Sequence, residues 1–267
     1  MLRVLLTNDD GIDAEGLQAL RRALAALDDV ELGVVAPDSN RSAAGRGITY
    51  RRPLWVTEIP FADGASGFAC DGTPVDCVRL ATLGLIEGFE PDVIVSGINH
   101  GSNLGDDISY SGTVAAALEG IVLGIPGIAV SQQSLRHEMR FDFTAAAAFT
   151  ARMVERLDDV PLPAGTLLNV NFPGTEDVRG VEVCRLGKRV YQDRLNLLDE
   201  DSGRRQFRIY GDSPVHDDEA GTDLAAVHHG RIAVTPLHFD LTAEHGMEAL
   251  RAYDLGSLLA PAAREVE

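Results

Sequence analysis

Thr7-Asn8-Asp9-Asp10-Gly11 directly follows the strand-like run at residues 2–6. Two adjacent carboxylates at the end of a buried strand repel each other by roughly 4 kcal/mol at an effective dielectric near 20. A hard divalent cation shared by both oxygens removes that cost, and Mg²⁺ or Mn²⁺ suits such donors. In open α/β sheets, ligands also bind at the carboxyl ends of the strands. The competing reading is a plain turn, since Asn, Asp and Gly all tolerate unusual backbone angles.

Three further segments follow strand-like runs. Pro37-Asp38-Ser39-Asn40-Arg41-Ser42-Ala43-Ala44-Gly45 offers serine hydroxyls as metal oxygens and Arg41 as a phosphate partner, or else a solvated loop. Ser96-Gly97-Ile98-Asn99-His100-Gly101-Ser102-Asn103-Leu104-Gly105 opens a sixteen-residue stretch, 97–112, read as loop. Loops of that length inside a compact domain are usually functional. The amide oxygen of Asn99 is a reasonable hard-metal ligand, and the glycines admit an anion close to backbone N–H groups. His100 is a candidate donor to a leaving-group oxygen. Ser111-Gly112-Thr113 opens a helix, whose free N–H groups and dipole accept an anion; ordinary capping is the alternative. Together, these residues fit metal-assisted phosphoryl hydrolysis.

The elements that position them alternate in type. Residues 3–6, 31–35, 93–96, 128–131, 167–172 and 232–236 read as strands. Residues 14–27, 113–123, 143–157, 220–229 and 243–258 read as helices. Thr73-Pro74-Val75-Asp76 opens another helix, with Thr73 as N-cap, Pro74 at N1 and Asp76 close to a capping box. The βαβ rhythm predicts an α/β fold: a mostly parallel, Rossmann-like sheet with helices on both faces. Residues 181–210 alternate polar and apolar side chains and read as extended hairpin arms that need a partner subunit to bury surface. The resulting organisation is a catalytic core over 1–180, an oligomerisation arm over 181–215, and a return to the core with a C-terminal segment over 216–267.

The formal net charge of −18 argues against binding nucleic-acid polymers or anionic membranes through charge. It also means that an anionic substrate needs a metal or backbone N–H groups. Cys70, Cys77 and Cys184 show no CxxC spacing, which fits buried thiols in a reducing compartment. With no signal-like segment and no long apolar run, the expectation is a soluble cytoplasmic protein. Nucleophile-elbow, Walker A and HExxH patterns are absent. His228, His229 and His238 read as surface or structural residues.

Taken together, these segments resemble the SurE (survival protein E) family of nucleotidases. The likeness rests on Leu6 through Gly11, Val35 through Asp38 with Arg41-Ser42-Ala43, and Gly72 through Cys77. It continues through Val95 to Gly105, Ser111 to Gly120, and Thr235-Pro236-Leu237. The resemblance implies a metal-dependent phosphomonoesterase acting on nucleoside 5′- and 3′-monophosphates, in some members also on short polyphosphate. It implies one divalent cation per subunit, held by Asp9, Asp10, Ser42 and Asn99, with Asp9 and Asp10 catalytic. Asn99, Asn103, Ser111, Gly112 and Thr113 would face the phosphate. A homodimer or homotetramer with a swapped C-terminal segment is implied as well. Asp71 stands where a small polar residue is expected, which would alter the pocket rim. Two other functions compete: a non-catalytic nucleotide-binding sensor and an assembly protein. A binder gains little from paired carboxylates facing a phosphate, which separates the sensor from the enzyme.

Overall fold

The computed structural model describes residues 1–135, 141–160, 163–190, 194–209, 215–216 and 218–259. The chain runs β1 (Leu2–Thr7), α1 (Glu15–Ala25), β2 (Val30–Pro37), β3 (Val56–Pro60), β4 (Ser66–Cys70), α2 (Pro74–Leu80) and β5 (Val93–His100). It continues through α3 (Gly112–Val122), β6 (Gly127–Gln132), α4 (Thr144–Glu155), β7 (Thr166–Phe172) and β8 (Val181–Val183). The last part comprises β9 (Arg189–Val190), β10 (Asn196–Asp201), β11 (Arg204–Arg208), β12 (Val215–His216), α5 (Asp223–His228), β13 (Ile232–His238) and α6 (Glu244–Arg251).

Nine strands form one sheet in the order β3-β4-β2-β1-β5-β6-β7-β13-β8. Strands β4, β2, β1, β5, β6 and β7 are parallel, while β3 and β13 join antiparallel to β4 and β7. Alternation along β1 sends Val4 and Leu6 to one face, where Leu17, Leu20 and Leu24 of α1 and Val154 of α4 complete a core. Leu5 faces the other side, with Cys77 and Val78 of α2 and Ala116 of α3. Helices therefore cover both faces, as the βαβ rhythm predicts. The strand order reverses between β1 and β5, which places the ligand crevice at their carboxyl ends. Thr73 caps α2 as expected: its hydroxyl accepts from Asp76 N–H, and Asp76 accepts from Thr73 N–H.

The structure corrects several boundaries. Residues 97–112 are not a continuous loop. β5 runs on to His100 by pairing with β6, and a 3-10 helix spans Gly105–Tyr110. Glycines within a strand hide this, because only the neighbouring strand supplies the ladder. Val181–Val183, read as part of an arm, is the outermost strand of the main sheet, parallel to β13. The projecting hairpin is β10–β11. Residues 191–193 and 210–214 of the expected arm lie outside the described residues. The terminal helix stops at Arg251 and is followed by a 3-10 turn over Leu255–Leu259. The β3–β4 hairpin has no counterpart among the expected elements; its exposed strand lacks a strong apolar alternation.

The start of β1 is tied to β5 through Asp92. Its carboxylate accepts from the Arg3 N–H at 2.8 Å and from Nε and Nη2 at 3.1 and 2.9 Å. These bonds hold Asp92 at a pKa of about 2, against about 3.9 in an unfolded chain. A carboxylate depressed in the folded state contributes stability above its unfolded value and loses it as pH falls through the folded one. Asp92→Asn is therefore expected to lower the melting temperature at neutral pH. It should also flatten its decline between about pH 4 and pH 2, as read by thermal melts across that range.

Candidate active site

The first loop is built around Asn8. Its side chain donates to Gly11 O at 2.8 Å and accepts from Gly11 N–H at 3.2 Å, closing a turn in which Gly11 has φ of 110°. Any side chain there would be strained. The turn reading is correct for Asn8 and Gly11, and it is what frees Asp9 and Asp10 to face elsewhere. The second loop is hydrogen-bonded onto the first: Arg41 N–H donates to Asp9 O at 2.7 Å, and Ile12 N–H to Pro37 O at 2.8 Å. Ser42 arrives at the site through this backbone contact.

Asp9 is 3% exposed, and its Oδ1 accepts from Thr113 Oγ1 at 2.5 Å. The N-terminus of α3 closes directly over the carboxylate. A methyl group on Gly112 would lie 2.7 Å from Asp9 Cβ and 2.9 Å from Oδ2, so glycine is required by this approach. Burial pushes the Asp9 pKa up, the Thr113 hydrogen bond opposes that, and the charge of Asp10 adds to the rise. Asp10 ties three loops together. Its Oδ2 accepts from His100 N–H at 2.9 Å and its Oδ1 from the Asn40 amide at 3.3 Å. A carboxylate has about four lone-pair directions, so both oxygens keep capacity for a cation.

A cleft of about 510 Å³ opens at this point, lined in part by Asp9, Ser42, Asn99, Asn103 and Ser111. Five of the sequence-derived candidates thus converge on one cavity. Asp10, Gly112 and Thr113 are not among the lining residues: Gly112 and Thr113 pack on Asp9 from α3, and Asp10 turns to His100 N–H and Asn40. A register shift in the β5–β6 pairing between Ser96 and Asn99 turns the strand end into the cleft. The Asn99 amide nitrogen donates to Gly101 O at 2.8 Å, which leaves its oxygen as an acceptor that could meet a cation. Ser111 Oγ accepts from Val114 N–H at 3.1 Å, so it caps α3 and still has its own proton to donate. Thr113 is committed to Asp9 through its hydroxyl and its backbone N–H, and it is fully buried.

Three expectations change. The His100 ring stacks on Phe141 and Phe143, and its Nε2 accepts from Gly16 N–H at 3.2 Å. That nitrogen is occupied as an acceptor, so any proton the ring donates is carried by Nδ1. The Arg41 guanidinium is spent on Asp38, Ser39 and the carbonyls of Asp71 and Gly72, so it braces the loop and does not meet phosphate. Asp71 pairs with Arg52 and accepts from Trp55 N–H, away from the cleft lining.

Sequence reasoning missed the residues that hold Asn103. Its N–H donates to Asn171 Oδ1 at 2.7 Å, and its carbonyl accepts from the amides of Asn171 and Asn169 at 3.0 and 2.9 Å. Its own amide donates to Ser131 Oγ at 2.7 Å. The available signal was two asparagines two residues apart in an otherwise apolar strand. Buried amides on one face are costly unless each is paired. Asp223 adds a brace from the far end of the chain, accepting from Gly105 and Gly187 N–H at 2.8 Å each.

The donor set suits a hard cation. It offers the Asp9 carboxylate and neutral oxygens in the cleft lining, with Asp10 next to Asp9 in the chain, and among the described residues no lysine or arginine lines the cleft. The described residues contain no group of three His, Cys, Asp or Glu side chains arranged to hold a metal ion, so a cation held here would take amide and hydroxyl oxygens as well. The three cysteines are free and buried, and none lines this cleft.

Residues 4–193 match the family model described as Survival protein SurE. The chain is 52% identical to the 5′-nucleotidase SurE of Rubrobacter xylanophilus, covering 97% of this chain and 99% of that one. It is 46% identical to the 5′-nucleotidase SurE of Chloroflexus aggregans, over 94% and 98% of the two chains. The crystal structure of the SurE protein from Aquifex aeolicus superposes with a TM-score of 0.79 at 38% identity, covering 94% of this chain and 98% of that one.

Proposed function

This chain belongs to the SurE family, and from that premise we propose that it is a metal-dependent phosphomonoesterase hydrolysing nucleoside 5′-monophosphates, with 3′-monophosphates and short polyphosphate as further substrates. The observation that carries this reading is the Asp9 carboxylate, buried under the N-terminus of α3 in the cleft it shares with Ser42, Asn99 and Asn103.

Asp9, Asp10, Ser42 and Asn99 are the residues that would hold one Mg²⁺ or Mn²⁺ ion. When bound, such an ion supplies Lewis-acid polarisation of the phosphoryl group and activation of water. The protein's own groups account for the rest. The backbone N–H of Gly112 and the hydroxyl of Ser111 receive the phosphate oxygens at the helix N-terminus, with Thr113 behind them holding Asp9. Asn103, locked by Asn169 and Asn171, presents its side chain at a fixed position. Asp9 orients the attacking water and accepts its proton; the burial that raises its basicity favours that transfer. Thr113 holds the carboxylate in the orientation this requires.

Self-association as a homodimer or homotetramer is part of the proposal. Every residue of β10, β11 and α6 is exposed, with Leu197, Leu198, Phe207, Met247 and Leu250 among them. An exposed amphipathic helix and a two-stranded hairpin cannot bury enough surface alone. On this reading residues 181–215 supply the arm, apart from β8, and the segment after β13 supplies the exchanged element. Among the described residues, no helix is long and apolar enough to cross a membrane, and we place the activity in the cytoplasm.

The test is phosphate release from a panel of 5′- and 3′-nucleoside monophosphates with Mn²⁺, with Mg²⁺ and with chelator. Release that needs the cation and stops on chelation is expected. Undiminished release in chelator would remove the metal from the mechanism, and no release with either ion would favour a nucleotide sensor.

A further inference from the structure

We infer that the ring of Tyr110 is the platform on which the nucleobase of the substrate stacks, and that it makes the site prefer base-bearing phosphomonoesters to plain sugar phosphates. This rests on the phosphomonoesterase reading above.

Tyr110 lines the cleft, yet its side chain is 62% exposed. It ends the 3-10 helix Gly105–Tyr110 and immediately precedes Ser111, the N-cap of α3. The ring therefore springs from a backbone position about 3.8 Å along the chain from the phosphate-facing cap. Its backbone is held from the other side of the cleft as well. Gly45 N–H donates to Tyr110 O at 3.1 Å, joining it to the loop that carries Ser42. The anchor of the ring is thus fixed relative to both the proposed cation site and the helix N-terminus.

Among the described residues the cleft has one other aromatic ring in its lining, that of His100. That ring is already stacked on Phe143 and Phe141, with centroids 4.9 and 5.1 Å away, and bonded to Gly16 N–H. The rest of the described lining is polar apart from Ala43. For a purine or pyrimidine entering this cleft, Tyr110 is the aromatic face of the described lining that is not already stacked on a protein ring. Aromatic faces pair in offset stacks at such contacts. A platform of this kind tolerates any base, because every base has a π-face. It therefore selects for the presence of a base and not for its identity.

The experiment compares kcat/KM for AMP, UMP and ribose 5-phosphate in the wild type, Tyr110→Ala, Tyr110→Phe and Tyr110→Trp. The wild type is expected to prefer the nucleotides. Tyr110→Ala should reduce that preference about tenfold or more, mainly through KM for the nucleotides, while the Phe and Trp variants keep it. Equal losses on nucleotides and ribose 5-phosphate in Tyr110→Ala would mean a structural role and overturn the inference. So would an unchanged preference. If the wild type hydrolyses the nucleotides but the ratio does not move, only the stacking platform fails. If it hydrolyses none of the three with either cation, the phosphomonoesterase reading fails with it.

Discussion

Asp9→Asn is expected to lower kcat about 10³-fold or more, a loss of about 4 kcal/mol in transition-state stabilisation, while the protein stays folded. The substitution keeps the shape of the side chain and an oxygen for the Thr113 hydroxyl. It removes the charge that would hold a cation and the base that accepts a proton. The stability consequence has a definite sign. Burial raises the folded pKa of Asp9, so its ionised form disfavours the folded state at neutral pH, and the contribution improves as pH falls through the carboxylate range. In chelator, therefore, the variant should melt no lower than the wild type. With Mn²⁺ present the order should reverse, because a ligand that binds only the folded state stabilises it by mass action and the variant has lost its principal ligand. Paired thermal melts and phosphate-release rates test both halves. Retained turnover, or an equal Mn²⁺-induced shift in the two proteins, would remove Asp9 from its role.

The second large effect concerns the helix behind the site. Glu119 of α3 is 2% exposed and is held by Arg46 and Arg79, each at 2.5 Å. Both arginines reach solvent, so they can relax if the glutamate is removed. Glu119 cannot relax if they are. The double variant Arg46→Ala/Arg79→Ala is expected to cost about 3–5 kcal/mol, because it strands a buried carboxylate. Adding Glu119→Leu to that background should recover most of the loss. Urea midpoints for the double and triple variants decide it. A triple variant no more stable than the double would show that packing by the arginine stems, and not the stranded charge, sets the cost. Arg46 also stacks over Phe239 at 4.8 Å, and the loop it belongs to carries Ser42. Activity in the double variant reports how far that loop depends on the ion cluster.

Much of this molecule is legible in the order of its residues, for local reasons. Periodicity places β1, β2, β5, β6, β7, β13 and α1, because alternation and helical spacing are properties of short segments. The Thr73 capping box is readable because its bonds close within four residues. The turn at Asn8 and Gly11 is readable for the same reason, and strand ends followed by Asp, Asn, Ser and Gly mark the edge where a ligand enters. Those local signals name Asp9, Asp10, Asn99, Ser111, Gly112 and Thr113 as candidates, with the resemblance choosing Ser42 over Ser39 and adding Asn103.

What they do not reveal is direction and company. Only the packed sheet sends the His100 ring toward Phe141 and Phe143 and ties Arg41 to Asp38 and the Asp71 carbonyl. Only pairing with β6 makes the glycine-bearing segment after Ser96 a strand. The clamp of Asn169 and Asn171 on Asn103 joins residues 66 and 68 positions apart, and the contact of Gly112 with Asp9 joins residues a hundred positions apart. The sequence by itself determined which chemical groups stand at the strand ends, since that follows from short-range pattern. The tertiary structure alone decided which of them face one cleft, because a side chain's direction depends on strand register and on the neighbours that occupy the space around it.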